Sequence, residues 1–306
     1  RPGPAAQAHA AGAELLLIPK ASPYRDDKLN SRRKMLSQRH QETGLPMAYC
    51  NLVGGQDELV FDGRSMVVDR SGLIAGVGPH CREGLLNADF NIESGCFSIR
   101  EWTEDDPGPS GEIYRVLVRG TADYVSKNGF TDVVMGLSGG IDSALCLAIC
   151  VDALGPERVH ALMMPSRFTS SLSLELACEQ ARTMGVDYRV VSIEPTLDSI
   201  NDSLAEAMSD QPIGVTHENL QARIRGMTVM AFSNRYGWLP IATSNKSELA
   251  VGYSTLYGDM CGGFAPIKDC LKTRVYELAR YRNRDGEVIP RAVIEQEMST
   301  EREIEI

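Results

Sequence analysis

The residues with the clearest chemical potential lie in Gly136-Leu137-Ser138-Gly139-Gly140-Ile141-Asp142-Ser143. A glycine turn that runs into a helix leaves backbone N–H groups free at the positive end of the helix dipole. That is an anion site, and phosphate is its usual occupant. The turn has no lysine, and the G-x-x-x-x-G-K-[ST] spacing of a Walker loop is absent. Polyphosphate charge must then be met by backbone dipoles, by a metal, or by cations from elsewhere. Asp142, in the first helical turn, is placed to hold a metal; its plainer reading is a carboxylate favoured by the dipole. Glu248, in Thr243-Ser244-Asn245-Lys246-Ser247-Glu248, is a candidate second metal carboxylate. Mg²⁺ is typically held by one or two carboxylates plus substrate phosphates. The plainer reading of Glu248 is a helix-start glutamate.

Other polar groups recur at strand ends and helix starts. Met164-Pro165-Ser166-Arg167 follows an apolar run, where an adenine or ribose edge is expected. Asn219 and Arg223 stand four apart and share a helix face. An amide beside a guanidinium suits a phosphate or a nicotinate-ribose edge, although on that stretch alone a solvated face is the simpler account. Arg225 points elsewhere and reads as structural. Tyr253-Ser254-Thr255-Leu256-Tyr257-Gly258-Asp259 is a glycine- and tyrosine-rich loop with the make-up of a binding wall. Lys272 sits at a helix start, against the dipole, so a bound anion is expected to compensate it.

The elements that must position these groups follow from periodicity. Val133 to Gly136 is an apolar, valine-rich strand and Ile141 onward an apolar helix. Strands are then predicted at 159–165, 188–193 and 238–242, with helices at 112–128, 171–184, 195–208, 218–236 and 272–282. Strands alternating with helices predict a doubly wound parallel sheet. Ligands in such sheets sit at the carboxyl ends of the strands, where the strand order reverses.

The earlier part reads as a helix over 5–13, strands at 14–19, 47–53, 58–62 and 65–69, and a basic helix over 27–42, with Gly54-Gly55-Gln56-Asp57 as a turn. It is expected to be a second layered α/β unit, residues 1–98, joined by the acidic, Pro/Gly-rich stretch 101–111 to residues 99–306. At 306 residues, two domains are the default. A hydrophobic fraction of 43% and charged fraction of 24% are those of a soluble globular protein. A formal charge of −10 argues against tracking nucleic-acid backbones, and no apolar run reaches membrane-span length. Eight cysteines without CxxC pairing read as free thiols in a reducing cytoplasm. Cys50, inside a strand before Asn51, reads as core. The chain has no initiator Met and reads as a cut piece of a longer one.

Ser138-Gly139-Gly140-Ile141-Asp142-Ser143 resembles the pyrophosphate loop of the N-type ATP pyrophosphatases. Together with Met164-Pro165-Ser166-Arg167, Asn219 with Ala222-Arg223-Ile224-Arg225, Asn245-Lys246-Ser247-Glu248 and Tyr253 to Asp259, it is similar to NAD synthetases. Ala21-Ser22-Pro23-Tyr24 and Asn51 to Gly63 resemble the nitrilase-type glutaminase half of the glutamine-dependent type. The resemblance implies an adenine nucleotide α-hydrolase-like synthetase domain preceded by a partial nitrilase-like α/β domain. It implies ATP binding by Gly136 to Ser143, Arg167, Thr243 and Lys272, and Mg²⁺ at Asp142 and Glu248. It implies deamido-NAD binding by Asn219, Arg223, Glu248 and Tyr253 to Leu256. Catalytic roles then fall to Ser138, Asp142, Glu248 and Lys272. The implied reaction adenylates the nicotinate carboxylate and lets ammonia displace AMP, in a cytoplasmic homodimer or larger oligomer. Glutamine is the family's nitrogen donor. The family's glutaminase Glu, Lys and Cys lie before this chain begins, so free ammonia is the donor expected here.

Three departures stand out. Lys20 replaces the family's usual Asn. Leu172-Ser173-Leu174 replaces a more polar stretch. Glu295 to Glu303 leaves the family pattern where a further substrate-binding lysine is expected. The competing readings are a truncated, non-catalytic nucleotide-binding fragment, or another N-type ATP pyrophosphatase such as a tRNA-thiolating enzyme.

Overall fold

A computed structural model describes residues 3–99, 107–208 and 214–295. Residues 101–106 of the linker expected over 101–111, and the divergent stretch from 296 onward, lie outside them; residues 108–111, expected as linker, are helical. The chain divides into two compact units, residues 1–120 and 121–306, and the division falls within one helix. The boundary expected at 98/99 therefore lies inside the first unit.

The first unit opens with α1 (Pro4–Ala10), β1 (Leu16–Lys20), α2 (Lys28–Thr43) and β2 (Met47–Asn51). It continues with β3 (Val53–Gln56), β4 (Leu59–Asp62), β5 (Met66–Val68), β6 (Ile74–Val77), β7 (Ala88–Asn91) and β8 (Cys96–Ile99). The sheet order is β1-β2-β5-β6, with β1 and β2 parallel and the later pairs antiparallel. Leu36 of α2 packs on Met47, Tyr49, Met66, Val68 and Val77. α2 stops where Gly44 turns left-handed.

Two expectations fail here. Gly54-Gly55-Gln56 are strand residues of β3, paired with Leu59 to Phe61 of β4, and the turn is at Asp57-Glu58. Glycines read as turn-formers in sequence, yet the hairpin ladder satisfies their backbone as strand. Cys50 is exposed, not core. Side chains alternate along β2; Met47, Tyr49 and Asn51 turn inward, which puts Cys50 on the outer face.

α3 (Gly108–Lys127) leads into the second unit. There β9 (Val133–Gly136), α4 (Ile141–Leu154), β10 (Val159–Met163), α5 (Ser171–Met184) and β11 (Asp187–Val190) follow. α6 (Glu194–Leu204), α7 (Val215–Tyr236), β12 (Leu239–Ile241), α8 (Lys246–Val251) and α9 (Lys272–Arg282) complete it. The sheet is wholly parallel, in the order β11-β10-β9-β12. Its central strands are apolar because both faces are covered. On one face Val134 and Leu162 pack against Leu197 of α6 and Ile224 and Val229 of α7. Val133 and Met135, of opposite parity and fully buried, turn to the other face. α5 begins where the Ser170 side chain accepts the Ser173 N–H, and ends at left-handed Gly185.

The order reverses at β9. The chain moves from β9 outward through β10 to β11, then returns to place β12 on the free side of β9. The carboxyl ends of β9 and β12 thus face one crevice, the topological switch point of an open α/β sheet.

Candidate functional site

Both stretches of highest chemical interest leave the sheet at that switch point. After β9, Leu137 to Gly140 turn into α4 without a side-chain cap, and Gly140 is the extended N-cap residue. The turn is braced from within. The Ser138 N–H donates to Ser143 Oγ at 3.2 Å, the two hydroxyls lie 3.0 Å apart, and the Gly140 N–H donates to Ser138 Oγ at 3.2 Å. Gly139 sits at φ +86°, and a Cβ there would come within 2.5 Å of the Ser173 carbonyl. Only glycine allows this approach of the loop to the start of α5.

After β12, Asn245 caps α8 in a capping box with Glu248. Asn245 also reaches across the crevice, and its Nδ2 donates to Asp142 Oδ1 at 2.9 Å. The second oxygen of Asp142 takes Lys272 Nζ at 2.6 Å. Asp142, Glu248 and Lys272, from α4, α8 and α9, are thereby brought together. The partner of Lys272 is the Asp142 side chain, not the bound anion expected from the sequence. Burial pushes the Glu248 carboxyl above its ordinary pKa; the Asn245 backbone bond opposes this and the Asp142 charge adds to it.

A cavity of about 360 Å³ opens beside this cluster. Gly136, Leu137, Ser138, Ser143, Met164 and Thr243 line it, as do Arg225, Gly258 and Asp259. Ser166 is buried and donates to Gln221 Oε1 at 2.8 Å. Arg225 donates to the Met164 carbonyl at 3.1 Å, and burial lowers its pKa. A lining position for Arg225 was not expected: it stands one turn after Gln221 on α7, and only the packing of α7 across the sheet turns that face to the cavity.

The remaining predicted groups form a second cluster. Asn219 Oδ1 accepts from Thr255 Oγ1 at 2.9 Å, and Arg223 Nε donates to the Leu256 carbonyl at 3.2 Å. Asn219 and Arg223 of α7 therefore hold the loop that carries Tyr253, Ser254, Thr255 and Leu256. Tyr253 and Leu256 are exposed. Arg167 instead lies on the surface of α6, paired with Glu194 and with Asp198 at 2.6 Å. Among the described residues, no group of three or more His, Cys, Asp or Glu is placed to hold a metal.

A family model described as NAD synthase matches residues 113–303, which includes every one of these groups. The chain belongs to the NAD synthase family. Curated relatives agree with the NAD synthase assignment. The glutamine-dependent NAD(+) synthetase of Xanthomonas campestris pv. campestris is 47% identical over 97% of this chain and 54% of its own length. That of Thermotoga maritima is 41% identical over 91% of this chain and 54% of its own. The chain thus spans about half the length of the curated relatives it matches. The glutamine-dependent NAD+ synthetase of Acinetobacter baumannii, solved with adenosine diphosphate, superposes with a TM-score of 0.90 at 46% identity. The match covers 94% of this chain and 55% of that one. The NH3-dependent NAD synthetase of Campylobacter jejuni, solved with a nitrate ion, gives 0.55 at 34% identity over 60% and 76%.

Proposed function

We propose that this NAD synthase family member amidates deamido-NAD to NAD, with ATP cleaved to AMP and pyrophosphate through an adenylated nicotinate carboxylate. The observation that carries the reading is the convergence of Asp142, Glu248 and Lys272 on the glycine turn at the switch point. The turn presents backbone N–H groups to phosphates, and the 360 Å³ cavity takes the nucleoside. Lys272 and Arg225 supply positive charge that the turn lacks. Asn219, Arg223 and the 253–256 loop bind the dinucleotide, and Ser138 orients phosphate through its hydroxyl. Arg167 and Thr243 complete the ATP contacts, with Arg167 leaving its ion pairs on α6 to do so. Catalysis on this reading is orientation plus charge neutralisation at the α-phosphate.

The residues present fit Mg²⁺. Two carboxylates share Asn245 as a partner, and the Asp142 charge raises the pKa of Glu248, a repulsion that a divalent cation relieves. Asp142 and Glu248 would hold the ion, and ATP phosphates would supply further oxygens. Bound there, it supplies charge neutralisation for the phosphates.

Residues 1–98 are read as nitrilase-like, which the sheet of order β1-β2-β5-β6 supports. Free ammonia is taken as the nitrogen donor for this chain; Cys50, exposed on the outer face of β2, is assigned no nucleophilic role. A homodimer in the cytoplasm completes the reading.

The test is pyrophosphate and NAD formation from ATP, deamido-NAD and ammonium. Asp142→Asn and Glu248→Gln should each lower turnover on the order of a hundredfold or more. Near-normal rates with both would remove the metal assignment. Pyrophosphate without NAD would point to another N-type ATP pyrophosphatase, and ATP binding without turnover to a binding module.

A further inference from the structure

Asn245 has no side-chain exposure to solvent, and its amide and backbone N–H are bonded to both carboxylate residues of the crevice. Its Oδ1 accepts the Glu248 N–H at 3.0 Å, its own N–H donates to Glu248 Oε2 at 3.1 Å, and its Nδ2 donates to Asp142 Oδ1 at 2.9 Å. The first two bonds are a capping box, and any N-cap oxygen would make the first. Serine, aspartate and asparagine cap comparably. The third bond belongs to no cap. It uses the donor half of the amide, which serine is too short to extend and aspartate does not have. The amide is also fixed against flipping: an inverted group would set N–H against N–H at Glu248 and oxygen against carboxylate at Asp142.

We infer that Asn245 is a positioning residue that holds Asp142 and Glu248, separated by more than a hundred positions in the chain, in one frame. The inference rests on the reading above that these two carboxylates hold Mg²⁺ with ATP. Asn245 is assigned no contact with the ion or the nucleotide. It fixes the rotamer of Asp142 through one oxygen, while Lys272 takes the other, and it fixes Glu248 through the capping box. Partners of metal-holding carboxylates set ligand direction, and their loss typically costs ten- to a hundredfold in metal affinity or activity.

The experiment compares wild type, Asn245→Ser and Asn245→Ala in three measurements. These are thermal midpoint, the Mg²⁺ concentration that half-saturates pyrophosphate release, and Mn²⁺ binding with ATP present, read by electron paramagnetic resonance. Asn245→Ser keeps a cap oxygen and loses the donor to Asp142. Its midpoint should stay close to wild type while Mg²⁺ half-saturation and the Mn²⁺ Kd each rise roughly ten- to a hundredfold. The KM for deamido-NAD should change little. Asn245→Ala loses the cap as well and should also melt earlier. Wild-type metal dependence in Asn245→Ser overturns the inference alone. Metal affinity that falls only in step with the midpoint, in both variants, reduces Asn245 to a cap and overturns it too. A wild type indifferent to Mg²⁺ overturns the carboxylate assignment and this inference with it.

Discussion

Glu248 shows how a single half-buried carboxyl weighs on stability. Its carboxyl is raised by burial first, with the Asp142 charge adding to the effect. A carboxyl with a higher pKa folded than unfolded binds more protons in the native state, so ionising it weakens the fold. The penalty is absent below the ordinary glutamate range and grows as pH rises through that range towards the raised value. Glu248→Gln keeps an oxygen to accept the Asn245 N–H, so the capping box survives. In the absence of metal and nucleotide, the variant should melt above wild type near neutral pH and match it at about pH 4. Circular dichroism melts at both values check this, and an equal offset at both would contradict the assigned cause. At this scale the sequence singled out Asp142, Glu248 and Lys272 by type and place, and the structure brings the three together. It did not identify Asn245, whose amide matters only because the loop after β12 meets the start of α4. It misread Cys50 because a lone cysteine in an apolar run does not say which face it takes.

Between elements, the packing of α7 on the loop 253–259 decides the shape of the cavity. Gly226 in the middle of α7 faces Gly258, both of them lining residues. A Cβ at Gly226 would come within 2.8 Å of the Gly258 carbonyl and 2.9 Å of the Tyr257 carbonyl. Helix propensity alone would make Gly226→Ala stabilising by about 1 kcal/mol. Backbone atoms cannot step aside as a flexible side chain can, so the steric term decides the sign. Gly226→Ala should destabilise by roughly 1–3 kcal/mol and weaken deamido-NAD more than ATP, since the displaced loop is held by Asn219 and Arg223. Urea unfolding and the two KM values measure both effects, and a stabilised variant would show that the loop yields freely. Helices were the most legible elements: α5 and α9 are bounded as the pattern predicts, by a cap, glycine or charge at the ends. Short strands were less so. β7 and β8 pair as a hairpin of four-residue strands with few β-branched residues, too weak a period to read.

For the whole molecule, the alternation of strands and helices made the α/β class readable, while the order β11-β10-β9-β12 was not. Order is set by which faces bury which helices, and that is a property of the assembled sheet. The order is what brings residues 142, 245, 248 and 272 to one crevice, and the Lys272–Asp142 pair closes it across 130 positions of chain. That pair has a thermodynamic meaning of its own. On the proposed assignment of a divalent ion to Asp142, the lysine is a tethered competitor: a monovalent cation, at fixed and high effective concentration, already seated on the carboxylate that the ion would need. Displacing it charges an entry cost to any metal that arrives without a nucleotide to receive the lysine. Lys272→Met should therefore tighten Mn²⁺ binding to the nucleotide-free protein while lowering turnover, two effects of opposite sign from one substitution. Titration of Mn²⁺ by paramagnetic resonance without ATP reads the first, and unchanged or weaker binding would mean that the lysine supports the metal rather than holding its place.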